Sequence, residues 1–329
     1  MNRFATTVVL SLGLLVSSAG SAPAEPRSAA EVARAIGLSS EAIERVIAGE
    51  VVAEELEASS DKDLGLGVVM RLDAPIGAVS EFIDSDRVAQ VQTVVLSQGG
   101  LDPAGPSLAE MTLPKESLAR LVKDPGGTFS LSESEAARIE SAARQGEAAA
   151  LEAYRSVLAE RASAYWKGGL DAIEPYAGKN RSPAADLRHA NEAIEKLARL
   201  PRLQAELAGV PAESSGAVRH SLSWAVLKGR DIAAPVLIHR MSYVSTDGEI
   251  VVQRQFYSGY DYDALQIVVA ILPTSEDWSA VFYTNHTYTV QVTGFGGSAK
   301  RSIGRKLLRK GVVEELERAQ RAIPTKTSE

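Results

Sequence analysis

The chain has 329 residues, a formal net charge of −7 and no cysteine. The acidic balance excludes general nucleic-acid binding, which needs a basic footprint. The lack of cysteine excludes disulfides, thiol nucleophiles and an N-terminal lipid-modified cysteine, so the fold must stand on its core, which at this length buries about 75% of the unfolded surface.

The chain opens as an export signal. Arg3 supplies a positive start, Phe4 to Val16 an apolar run, and Ala22-Pro23-Ala24 small residues that place cleavage before Glu25. The run is too short to span a bilayer comfortably, which makes an uncleaved anchor the weaker reading and a periplasmic or secreted location the expectation. Residues 25–48 read as two short N-terminal helices. Ser28 and Glu31 form a capping box, and Gly37 to Ser40 breaks the first helix and caps the second. Ala42, Ile43, Val46 and Ile47 share one helical face, as a segment docked on a sheet would.

Residues 49–323 make the main domain. Gly49–Leu56 and Leu64–Leu72 alternate like strands, Pro75 ends the second, and Ile76–Ile83 follows as a helix. Gln90–Leu96 is a further strand candidate. A helical insertion spans about 105 to 216. It starts with a short helix from Pro114 to Val122, broken by Pro125-Gly126-Gly127. A capping box at Ser132 and Glu135 then opens one alanine-rich helix to Trp166, closed by Gly168-Gly169. Ser182-Pro183 starts another, running to about Leu200 before Pro201. Five strands come next: Arg219–Leu227, Val236–Val244, Glu249–Tyr257, Leu265–Leu272 and Ala280–Tyr288. Their short polar loops imply antiparallel pairing. A long amphipathic helix starts after Gly294, Gly296 and Gly297, and residues 324–329 are expected as a disordered tail.

Few residues suit chemistry. His189 has charged neighbours and reads as solvated, whereas His220, His239 and His286 lie in three different strands on largely apolar faces. Histidines on adjacent strands can converge on zinc, but no His-x-His spacing or extra carboxylate supports a metal here. Tyr260-Asp261-Tyr262-Asp263 reads as a turn. No Gly-x-Ser-x-Gly elbow, P-loop, Rossmann fingerprint or paired-carboxylate signature occurs, so a hydrolase or dehydrogenase has no support and no cofactor is expected. Lys300, Arg301, Arg305, Lys306, Arg309 and Lys310 oppose the terminal helix's dipole. They form either a solvated rim or a contact for anionic lipid heads, for which Lys300, Arg301, Arg305 and Lys306 are the candidates.

Asp73-Ala74-Pro75, followed by a short helix carrying Phe82 and by the turn Asp84-Ser85-Asp86, resembles the opening of the START/Bet v 1-like (SRPBCC) helix-grip superfamily. The strand succession and final helix are similar too, although the large insertion departs from the pattern. With Tyr257 to Ala264 and Phe295-Gly296-Gly297 to Arg301-Ser302-Ile303, the chain also resembles a group of uncharacterised exported bacterial proteins. The resemblance implies an α+β fold: a curved antiparallel sheet with a long C-terminal helix, holding a hydrophobic or lipid-like molecule between them. On that expectation the aromatic and basic residues Trp224, Arg240, Tyr243, Arg254, Phe256 and Tyr257, with His239 and His286, are the ligand-contact candidates. Two alternatives stay open. One is a cyclase- or aromatase-type enzyme using His239, His286 or Tyr257, and the other is a structural or interaction protein with a filled core.

Overall fold

Among the described residues, eight strands build one antiparallel, curved and unclosed sheet in the order β1-β2-β8-β7-β6-β5-β4-β3. They are β1 (Val52–Glu55), β2 (Leu66–Leu72), β3 (Val95–Leu101), β4 (Arg219–Lys228), β5 (Ala233–Ser245), β6 (Gly248–Ser258), β7 (Ala264–Pro273) and β8 (Ser279–Tyr288). The computed structural model describes residues 40–84, 94–195, 207–211, 218–245, 248–273 and 278–323. The expected signal peptide, the first of the two N-terminal helices, the start of the Gln90–Leu96 strand and the tail lie outside the described residues.

The helices are α1 (Ser40–Ile47), α2 (Ile76–Asp84), α3 (Lys115–Lys123), α4 (Pro125–Thr128), α5 (Glu133–Ala143), α6 (Glu147–Gly168), α7 (Pro183–Glu195) and α8 (Gly297–Ala322). The five late strands and α8 fall where the sequence places them. The alanine-rich stretch differs, being two helices rather than one. Gly146 interrupts it at φ 112°, a left-handed turn that a residue with a Cβ resists. The Ser132 box does form: the hydroxyl accepts from the Glu135 amide, and the Glu135 carboxylate accepts from the Ser132 amide.

Register sorts the strand residues onto two faces. Leu222, His239, Arg254, Gln266 and His286 stand side by side across β4 to β8. One position along, Ser221, Arg240, Gln253, Ile267 and Asn285 form the neighbouring row on the opposite face. A bulge in the β5–β6 pairing, between Leu237 and Ile238, inserts one residue, so Phe256 and Tyr257 both turn to the first face.

The helical insertion covers that first face. Its core joins Tyr154, Leu158 and Tyr165 of α6 and Leu187 of α7 to Trp224, Leu237, Phe256 and Tyr257 of the sheet. The second face carries α8, whose Leu308 and Val312 are buried against Leu66, Val68, Ile267 and Tyr283. With both faces covered, every residue of β8 is buried. No described helix is long and apolar enough to cross a membrane.

Candidate functional site

Of the eight ligand-contact candidates, seven lie on the face covered by the insertion: Trp224, His239, Tyr243, Arg254, Phe256, Tyr257 and His286. Arg240 alone faces the side that carries α8. The split follows from strand alternation plus the β5–β6 bulge, and the sequence does not display the bulge.

A polar chain joins the sheet to α6 and α7. Arg254 is 1% exposed. Its guanidinium donates to Gln266 Oε1 at 3.0 Å, to the Tyr165 hydroxyl at 3.0 Å, to Asn191 Oδ1 at 3.0 Å and to the Leu207 carbonyl at 3.1 Å. All four acceptors are neutral, so dipoles rather than a carboxylate stabilise this buried cation. The arginine also sets the direction of the chain beyond it. Because Tyr165 accepts from Arg254, its own O–H donates to His239 Nδ1, 2.7 Å away. His239 then keeps its proton on Nε2 and donates it to His220 Nδ1 at 2.9 Å. Burial first, then Arg254 and His220, hold the His239 pKa well below the ordinary histidine value, so the ring is neutral. Tyr165 stacks on Phe256 with ring centres 4.1 Å apart, and Trp166 meets both histidines edge-on.

A second knot lies along the same interface. Arg161 of α6 donates to Glu135 Oε1 at 2.6 Å and to the Glu174 carbonyl at 3.0 Å. Its guanidinium also lies over the rings of Tyr176 and Tyr257. The Tyr257 and Tyr154 hydroxyls are 2.7 Å apart, and burial raises both phenol pKa values. His286 has a different neighbourhood, with Nδ1 2.9 Å from Asp63 Oδ2. The same oxygen accepts from the Ser59 amide and hydroxyl. Serine and imidazole thus both bond the carboxylate, and the ring does not sit between them as a nucleophilic triad requires. Among the described residues no group of three histidine or acidic side chains is placed to hold a metal.

The opposite face is divided. Under α8 it is filled with aliphatic side chains, and a short polar string, Thr287 to Asn285 to Tyr283, runs beneath. Toward β3 to β6 it changes character. Ala225, Leu227, Val236 and Ile238 make a small apolar cluster composed of strand residues. Beside it lie Gln98, Arg240, Gln253 and Gln255, of which the last three are buried. Gln98 Oε1 and Gln255 Nε2 are buried without a hydrogen-bond partner, although Gln255 Oε1 accepts from Tyr262. A cavity of about 20 Å³ adjoins the cluster at Leu227, Val236 and Tyr262. It has room for one water. The buried amides were absent from the sequence-based candidates, since single glutamines in an apolar strand carry no spacing signal.

The candidate membrane contacts divide as well. Arg301 donates to the Asp61 carbonyl and Arg305 to Glu55, whereas Lys300 and Lys306 are exposed. The chain matches no protein-family model and no curated protein.

Proposed function

We propose that the chain is an exported protein that binds or shuttles a small hydrophobic or amphipathic molecule without transforming it. The molecule lies on the sheet face shared with α8, toward β3 to β6. The supporting observation is the pair of buried, unpartnered amide atoms, Gln98 Oε1 and Gln255 Nε2, beside the Ala225, Leu227, Val236 and Ile238 cluster. A buried polar atom without a partner costs about 1–3 kcal/mol, which a ligand's polar group would recover. Apolar lining with a few polar anchors is the usual composition of a small-molecule site. The adjoining cavity has room for only one water, so binding requires side chains at that end of the sheet to move. The helix-grip likeness and the signal-like residues Arg3 to Ala24 agree with this reading.

Catalysis by the strand histidines has less support. Both His239 ring nitrogens are engaged, and the Tyr257 hydroxyl is spent on Tyr154, so neither presents a free group to a substrate. Native mass spectrometry of protein purified from its own host tests the proposal. A bound small molecule is expected, released on denaturation and reduced in occupancy by Gln98→Leu and Gln255→Leu. A bare polypeptide mass, under conditions that preserve a control lipid complex, rules the reading out.

A further inference from the structure

The start of α8 presents a surface that neither the sheet nor the insertion uses. Phe295 is fully exposed at the tip of the turn into the helix, between Gly294 at φ 71° and Gly296 at φ 73°. Both glycines are left-handed, so the turn that projects the ring is one other residues resist. Single exposed apolar residues are ordinary, but this one continues into a pattern. Ala299, Ile303, Lys306 and Lys310 are spaced i, i+4, i+7 and i+11, and all are exposed. This stripe lies opposite Leu308 and Val312, the residues that fix the helix to the sheet.

The charge of the region runs against that of the molecule. The chain is net −7, yet α8 has no acidic residue before Glu314. Lys300, Lys306 and Arg309 are exposed and make no ion pair among the described residues. Lys310 meets Glu314 only at 3.8 Å. On neighbouring elements Arg301 donates to the Asp61 backbone carbonyl and Arg305 to the Glu55 carboxylate.

We propose that this turn and outer stripe form a docking surface for an anionic lipid bilayer. Lys300, Lys306, Arg309 and Lys310 meet the lipid phosphates, while Phe295 and Ile303 enter the interfacial layer. A free phosphate would use the cations but not the two apolar side chains, which favours the membrane as the source of the anion. The inference is independent of any ligand held on the sheet.

The test is sedimentation of the exported, purified chain with phosphatidylcholine vesicles, with and without phosphatidylglycerol. Sedimentation that requires phosphatidylglycerol is expected, with release by salt. Lys300→Gln and Lys306→Gln should each weaken partitioning roughly fivefold. Phe295→Ser should weaken it too, with the circular dichroism spectrum unchanged because the ring touches nothing. A Phe295→Trp variant should shift its emission to the blue on these vesicles. The proposal fails if phosphatidylglycerol makes no difference, or if Phe295→Ser and Lys306→Gln partition like the parent.

Discussion

The two faces of the sheet are both buried, yet they are held by different physics. Under α8 the contact is mainly aliphatic, with Leu308 and Val312 set among leucines, isoleucines and valines. Under the insertion it is aromatic and polar, organised by Arg161, Arg254 and the row from His239 to Gln266. An aliphatic contact is non-directional and tolerates sliding, whereas a hydrogen-bonded one fixes a single register. The insertion is therefore fastened in one position, and the terminal helix is fastened mainly by the surface it covers.

This contrast can be broken at several points. The largest loss is expected at the insertion: Glu135→Ala strands the buried Arg161 and should destabilise the fold by about 3–5 kcal/mol, seen as a lower urea midpoint. On the other face Leu308→Ala should cost about 2–5 kcal/mol through its cavity. Both variants keep His239, the buried neutral histidine of the insertion face, so both should retain its pH response.

That pH response is itself a prediction. His239 has a folded pKa below the unfolded value of 6.5, so beneath about pH 6.5 the unfolded chain takes up a proton that the folded chain refuses. Stability should fall as pH drops through that region, and His239→Gln should flatten the fall. Asp186 acts with the opposite sign. Burial pushes its pKa up to about 6, from 3.8, against the pull of Lys62. Its ionised form costs stability at neutral pH, and the cost is relieved as pH falls through about 6, so Asp186→Asn should steepen the acid loss. Urea midpoints across this range check both. The smallest effect should come from the surface of the insertion. Arg138 grips Glu160 at 2.6 and 2.7 Å, but both side chains are about half exposed. Glu160→Ala should therefore change stability by less than about 1 kcal/mol.

Much of the fold was legible in the sequence because its signals are local. Strand alternation, the Ser132 capping box, the Pro75 break and the glycines before α8 each specify an element within a few residues. The single helix expected from Ser132 to Trp166 missed Gly146, whose effect alanine propensity masks. Less of the candidate site was legible. Trp224, His239, Arg254 and Tyr257 share one face while Arg240, read with them, lies on the other, because alternation alone cannot say which face receives which layer. Arg254 is met not by a carboxylate but by four neutral oxygens from Gln266, Tyr165, Asn191 and Leu207. Three of those come from the insertion, far along the chain, so no window around β6 contains them.

The extra residue in the β5–β6 pairing has one last consequence. It acts as a phase shift: upstream and downstream of it, odd and even positions exchange sides. Removing Phe256 would restore strict alternation and leave Tyr257 opposite Leu237 on the insertion face, at the loss of the ring that stacks on Tyr165. A deletion there would thus keep both interfaces in phase and cost one stacked ring.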